Sequence, residues 1–283
     1  MCSKSVFIDV TCIMSVYIND RVEWVAEAVN SIILGSVRPR EFLIYCDGPI
    51  CSEVNALLKG YAAGAGSLIS LFKSDENRGR AYARQYLVQR SIGNFIMIMD
   101  SDDISASDRL EKQYFYMLNN PEIDVLGGKI MEFGEGVESR LRSVPLVEKE
   151  ILSFGKFRQP LNHVTILAKK SALTDVGGYI DAGSCEDYYL IARWMVSGKH
   201  LRNLPDVLVN VRIDADFTKR RIGFSVFKDQ IKVAHYLKSC GQLSVIEYIF
   251  IIFVKFLPRL LPESLFSFFY KHIRTPLHHN KDR

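Results

Sequence analysis

Four short apolar runs, separated by segments of helical periodicity, fill the first hundred residues, and this alternation restricts the chain to folds built on a parallel sheet. Val10–Tyr17 is β-rich and continuously apolar, as a strand buried on both faces must be. Asn19-Asp20 breaks it, and Asp20 with Glu23 has the form of a capping box before Val22, Val25, Val29 and Ile32 recur at helical spacing. Pro39 is expected to close that element. Phe42–Cys46 reads as a second strand, Ser52–Tyr61 as a helix, Leu68–Phe72 as a third strand, Gly79–Arg90 as a helix and Phe95–Met99 as a fourth strand. The predicted class is α/β: βαβ units on a parallel sheet flanked by helices.

Beyond residue 100 the pattern is less regular. Asp108 with Glu111 marks a helix start, Ile123–Phe133, His163–Lys169 and Val207–Ile213 look like strands, and Asp187–Ser197 looks like a helix. After about residue 216 the character changes. Thr218–Arg221 is basic, and Leu243–Leu257 is strongly apolar but carries Glu247 and Lys255 and ends at Pro258. A spanning helix needs about 20 apolar residues, so this run is read as interfacial or core-docking. Lys255, Arg259, Lys271 and Arg274 beside aromatic residues suit an anionic membrane surface; the alternative is a helical subdomain packed on the sheet. The expected organisation is a sheet domain over 1–215 and a C-terminal helical, apolar and basic segment over 216–283.

Composition excludes some classes. Across 283 residues, 48% apolar and 24% charged residues rule out wholesale disorder. Lys+Arg 36 against Asp+Glu 32 leaves +4, too mild a balance for a nucleic-acid binder. The six cysteines form no C-x-x-C pair, and the first residues hold no apolar signal core, so free thiols and a cytoplasmic address are expected.

The chemistry concentrates at predicted strand ends. Asp100-Ser101-Asp102-Asp103 follows the fourth strand, where ligands of open α/β sheets bind. Three carboxylates in four residues raise one another's pKa unless a cation answers them, and Mg²⁺ or Mn²⁺ suits such hard oxygen donors. Asp47-Gly48 ends the second strand, as either a turn or a nucleoside contact. Asn77–Arg84 opens a helix, with Arg80 and Arg84 on one face as candidate diphosphate partners. Glu186-Asp187 opens another helix, where one acid is either an N-cap or a general base for an attacking hydroxyl. His163 is either structural or a ligand to a metal or acceptor.

Taken in order, V-T-C-I-M-S-V-Y, C-D-G, N-R-G-R-A-Y-A-R, D-S-D-D and E-D-Y-Y-L-I-A-R-W resemble the inverting family-2 glycosyltransferases of GT-A fold. R-L-E-K-Q, N-H-V-T-I-L-A-K-K-S-A-L, D-V-G-G-Y and T-K-R-R-I-G look like the amylovoran-biosynthesis type, which builds bacterial capsules, exopolysaccharides and O-antigens. The resemblance spans about residues 8–235 and implies a Rossmann-like, mixed but mainly parallel sheet flanked by helices. It implies a UDP-sugar donor, a Mn²⁺ or Mg²⁺ ion held by Asp102 with Asp100, and a nucleotide pocket of Ser15, Tyr17, Asp47, Asn77, Arg84, Asp100 and Ser101. Asp187 becomes the catalytic base with Glu186 beside it. The implied acceptor is a polyprenyl-diphosphate-linked saccharide at the cytoplasmic face of the inner membrane. Cys46 stands where the family often has a first aspartate, Ser15 where it often has proline, and Ile222 where it often has glycine. A nucleotidyltransferase is the competing enzyme class, although S-V-Y-I-N-D lacks its glycine-rich loop; a non-catalytic nucleotide-sugar-binding protein is the other alternative.

Overall fold

The computed structural model describes residues 7–64, 68–213 and 223–260. The basic run Thr218–Arg221 and the later residues Lys271 and Arg274 lie outside them. In chain order the strands are β1 (Phe7–Val16), β2 (Arg38–Cys46), β3 (Ile69–Lys73), β4 (Phe95–Asp100), β5 (Ile104–Ser105), β6 (Val125–Gly134), β7 (Val137–Arg142), β8 (Leu167–Lys169) and β9 (Leu201–Arg212). The helices are α1 (Val22–Ile33), α2 (Ser52–Gly64), α3 (Arg80–Arg90), α4 (Arg109–Asn119), α5 (Glu148–Gly155), α6 (Lys170–Asp175), α7 (Glu186–Val196), α8 (Phe224–Ser239) and α9 (Val245–Phe256).

The nine described strands form one sheet in the order β3-β2-β1-β4-β8-β6-β9-β5, with β7 paired to β6. β3, β2, β1 and β4 are parallel, and β8 joins antiparallel to β4, so the sheet is mixed as expected. Winding runs outward from β1 through β2 to β3 and then returns to β4 on the other side of β1. That reversal is the switch point at which open α/β sheets bind ligands. β1 can occupy the centre because Val10, Cys12, Ile13, Met14 and Val16 are all buried, with apolar neighbours on both faces. One face of the sheet packs against α1, α2 and α4 through Val25, Val29, Val54, Leu58 and Met117. The other packs against α3, α6 and α7 through Leu87, Leu173, Leu190 and fully buried Trp194, whose indole N–H donates to Ala172 O at 2.8 Å. Such burial contributes roughly 25 cal/mol per Å² of apolar surface.

Several local expectations are corrected. α1 is not capped by Asp20: its N-cap is Arg21, without a side-chain bond, and the Asp20 carboxylate accepts from Tyr17 N and Ser101 Oγ at 2.9 Å each. Pro39 closes no helix; it lies inside β2, opposite Ile8 of the central strand. Asp108 stands at the α4 N-cap, but its side chain pairs with Lys112 at 2.9 Å instead of capping. His163–Thr165 is a 3₁₀ turn and only Leu167–Lys169 is strand, because Thr165 Oγ1 donates back to Asn162 O at 2.6 Å. β7, α5 and α6 have no counterpart in the sequence reading. The C-terminal helices α8 and α9 share a small core with α7, formed by Cys185, Tyr188, Ala192, Val233, Leu237 and Ile251. No helix among the described residues is long and apolar enough to cross a membrane.

Candidate active site

The carboxyl ends of β1, β2 and β4 lie side by side, and the register puts Ser15 opposite both Tyr45 and Asp100. Asp47 follows β2 directly and is buried. Its Oδ1 accepts from Arg78 N at 2.7 Å and its Oδ2 from Gly79 N at 2.9 Å, so the carboxylate caps the loop entering α3. Asn77 Oδ1 accepts from the same Gly79 N–H at 3.2 Å. The two loops touch backbone to backbone: a Cβ on Gly48, whose φ is +85°, would lie 2.8 Å from Asn77 N. Only glycine fits there.

Arg84, one turn into α3, is buried and joins the acid that ends β4 to the acid that opens α7. Its Nη2 donates to Asp100 Oδ1 at 2.8 Å and its Nη1 to Glu186 Oε1 at 3.1 Å. Arg80 Nε adds a 3.2 Å contact to the same Glu186 oxygen. The i, i+4 spacing does put both arginines on one face, and both reach the Glu186 carboxylate. Arg84 therefore draws Asp100 of β4 together with Glu186 and, next in sequence, Asp187 of α7 into one locus.

The acids there differ in proton affinity. Burial pushes Asp100 up, yet Arg84 and Arg80 outweigh it and hold the carboxyl below its ordinary range. Burial also opposes ionisation of Asp187. The Tyr188 N–H at 2.7 Å, Arg80 and the Gln159 amide at 3.0 Å overcome that and keep it ionised. Glu186 is raised by burial and by Asp187 despite its two arginines. His163 is buried, shares a 2.8 Å hydrogen bond with the Tyr179 hydroxyl, and is pushed down to about 4 by burial and by Arg84, so its ring is neutral.

The D-S-D-D turn is pinned from two sides. Arg212 of β9 donates its N–H to Asp103 Oδ1 at 2.9 Å and its Nε to Asp102 O at 3.2 Å, while the Ser101 hydroxyl is committed to Asp20. The Asp102 carboxylate makes no ion pair among the described residues. Burial, then Asp100 and Asp20, push it up to about 6, and Asp20 is raised to about 6 mainly by burial. Asp103 is raised further, by burial, Asp102 and Asp100. This cluster is short of positive charge at Asp102, which fits a divalent cation there. Among the described residues no three His, Cys, Asp or Glu side chains form a complete cage, as suits an ion that takes the rest of its shell from phosphate oxygens and water.

Of the residues expected from sequence, Arg84, Asp100 and Glu186 are in direct contact, with Asp187 adjoining. Asp47, Asn77 and Ser15 border them at the same strand ends, and Tyr17 is partly exposed beside Asp20. Sequence reasoning missed Gln159, Asp20 and Arg212 as supports. None lies within a recognisable spacing of the acid it holds, so only the fold brings them there. Tyr179 sat within the quoted D-V-G-G-Y stretch without a role.

Comparison with known proteins agrees with this geometry. The family model described as Glycosyl transferase family 2 matches residues 11–179. The amylovoran biosynthesis glycosyltransferase AmsE of Erwinia amylovora is 28% identical over 93% of this chain and 98% of its own length. The UDP-Gal:alpha-D-GlcNAc-diphosphoundecaprenol beta-1,3-galactosyltransferase of Escherichia coli is 29% identical over 92% of this chain and 94% of its own. Among solved structures, S. aureus TarS 1–349 in complex with UDP-GlcNAc superposes with a TM-score of 0.66 at 15% identity, over 89% of this chain and 72% of that one. At that identity the likeness speaks for the fold.

Proposed function

Since the chain belongs to glycosyl transferase family 2, we propose that it transfers a hexose, with inversion, from a UDP-sugar to a polyprenyl-diphosphate-linked saccharide during synthesis of a bacterial surface polysaccharide. The observation that carries this reading is the Arg84 bridge. It brings a strand-end acid suited to a nucleotide-bound cation, Asp100, to the acid pair suited to an incoming hydroxyl, Glu186-Asp187. The amylovoran and undecaprenol relatives support the substrate class.

Asp187 is the base in this reading. An ionised carboxylate held by Gln159 and the Tyr188 N–H can take a proton from an attacking hydroxyl, and its lowered pKa keeps it ready near neutral pH. A single base with no nucleophilic carboxylate opposite it corresponds to direct displacement and an inverted anomeric centre. Glu186 is occupied by Arg80 and Arg84, and so orients the pair without taking the proton. Asp102, with the Asp100 oxygen that Arg84 leaves free, would hold Mn²⁺ or Mg²⁺, which supplies Lewis-acid stabilisation of the departing diphosphate. Ser15, Tyr17, Asp47, Asn77 and Ser101 border the nucleotide.

The apolar α9 face and its basic neighbours support peripheral attachment at the cytoplasmic side of the inner membrane, where such an acceptor resides. The test is transfer from a panel of UDP-hexoses to a synthetic lipid-diphosphate N-acetylhexosamine, with Mn²⁺, with Mg²⁺ and with EDTA. The linkage is then read by NMR. A product of inverted configuration, formed only with metal, is expected; retention of configuration or full turnover in EDTA would refute the assignment.

A further inference from the structure

Three cations without a counter-ion among the described residues gather where α9 approaches the start of α7, which carries the acid pair. Arg158 follows α5, Lys255 stands in the last turn of α9, and Arg259 lies in the 3₁₀ turn after it. Arg259 donates through Nη1 to Lys255 O, while its Nε is buried with no hydrogen-bond partner. Its guanidinium rests 5.1 Å from the Phe227 ring, and Arg158 rests 5.6 Å from the Phe154 ring. No carboxylate among the described residues pairs with any of the three. Their neighbours differ: Lys156 pairs with Glu247 at 3.4 Å and Lys232 with Asp229 at 3.0 Å.

Gathering like charges partly out of water is costly unless an anion joins them. The cost is visible at Lys255, whose ammonium is pushed down to about 8 by burial and by the Arg259 and Arg158 guanidiniums. An unsatisfied buried N–H on a planar guanidinium is a ready donor for a phosphate oxygen, which Arg binds with two parallel bonds.

The location narrows the ligand. Cys185, which immediately precedes Glu186-Asp187, shares a core with Ile251 of α9, one turn before Lys255. Arg158 immediately precedes Gln159, whose amide holds Asp187. The cluster thus borders the segments that carry and hold the base. From it runs the apolar face of α9, with Ile246, Ile249 and Phe253 exposed. A phosphate-bearing group joined to a hydrocarbon chain matches both features.

We propose that Arg158, Lys255 and Arg259 form the binding site for the diphosphate of a prenyl-diphosphate lipid carrying the acceptor sugar, holding that sugar's hydroxyl toward Asp187. This rests on the acceptor class given under Proposed function. Phospholipid headgroups offer the same phosphate chemistry, so the experiment separates the two sources.

The full chain, with UDP and Mg²⁺ at saturation to fill the donor site, is titrated with farnesyl diphosphate. Binding that inorganic pyrophosphate displaces is expected, with affinity at least tenfold weaker in Arg259→Gln and Lys255→Met. Arg158→Gln, at a position whose side chain makes no hydrogen bond among the described residues, should weaken binding likewise. UDP affinity in the same titrations reports that each variant is folded. Affinities within twofold of the parent in all three variants, or no binding by the parent at millimolar probe, overturn the site. So does loss of binding to phosphatidylglycerol vesicles in the variants with farnesyl diphosphate affinity intact, since the cluster would then serve headgroups. Transfer to the lipid-diphosphate acceptor with a raised KM in the variants supports it. Failure of the parent to transfer to any such acceptor, with probe binding present and lost in the variants, upholds the anion site and refutes the acceptor reading alone.

Discussion

The Arg84 guanidinium reaches Glu186 Oε1 at 3.1 Å across 102 residues of sequence, and both side chains are buried. Removing one partner of such a pair strands the other as a buried charge, at a cost of about 3–5 kcal/mol. Arg84→Gln should therefore lower the urea midpoint by that equivalent and abolish transfer, because Asp100 and Glu186 are both released. Arg84→Lys keeps the charge but cannot fork to two carboxylates. Its expected cost is smaller, about 1–3 kcal/mol. Equal midpoints for the parent and Arg84→Gln would show that the bridge does not hold the site together.

Asp187→Asn tests the base. The amide retains the shape and can still meet Gln159, but it cannot accept the hydroxyl proton. Turnover should fall by roughly 10²–10⁴ while UDP-sugar affinity by calorimetry stays within about twofold. Undiminished kcat would reassign the role.

The neutral His163 makes a pH prediction. Its ring titrates near 4 in the folded chain because of burial and Arg84, against about 6.5 unfolded. Between those values the unfolded state binds the extra proton, so this histidine's contribution is complete above about 6.5 and is lost as pH falls toward 4. The shift corresponds to about 3 kcal/mol at most. Urea unfolding at pH 7.5 and at pH 5 should show a smaller difference in His163→Gln than in the parent. An identical pH slope in the two proteins would mean the ring is already protonated in the native state.

Gly183 couples the C-terminal helices to the base. Its φ is +66°, and a Cβ there would meet the Asp229 carboxylate at 2.2 Å. That carboxylate accepts from Ser184 N at 2.9 Å and from Ser184 Oγ at 3.1 Å. Gly183→Ala adds the left-handed backbone penalty, about 1–2 kcal/mol, and displaces Asp229 from both bonds. A lower melting temperature is expected together with reduced kcat at unchanged UDP affinity; full activity would show that α8 does not fix the loop before Glu186.

How much of this was legible in the sequence follows from how local each signal is. The four parallel strands were readable because continuous apolar runs such as Phe95–Met99 have no other stable place than a sheet covered on both faces. The strand-end acids followed from that, since Asp47 and Asp100 sit directly after such runs. What was not legible depends on distant partners. From the sequence Arg84 is a candidate diphosphate partner, and its contact with Glu186, 102 residues away, exists only in the fold. Asp20 reads as a cap for α1, but the β1–α1 loop turns its carboxylate toward Ser101. The β6–β7 hairpin was missed because β7 (V-E-S-R-L-R) is charged and partly exposed, and so lacks the apolar signature.

The exposed face of α9 gives the last prediction. Ile246 is 81% exposed, Ile249 59% and Phe253 60%, whereas Ile251 on the same helix is buried against α7 and α8. A capping box of Ser244 and Glu247 starts this helix, so its stability does not rest on the exposed side chains. Burying a large apolar side chain stabilises by about 1.5–3 kcal/mol. Replacing these three with Glu should thus reduce partition onto vesicles containing phosphatidylglycerol by roughly a hundredfold or more, 1.4 kcal/mol being tenfold, while the melting temperature in solution holds. If the triple variant floats with the vesicles as efficiently as the parent, α9 is not what meets the lipid, and the attachment must be sought elsewhere on the chain.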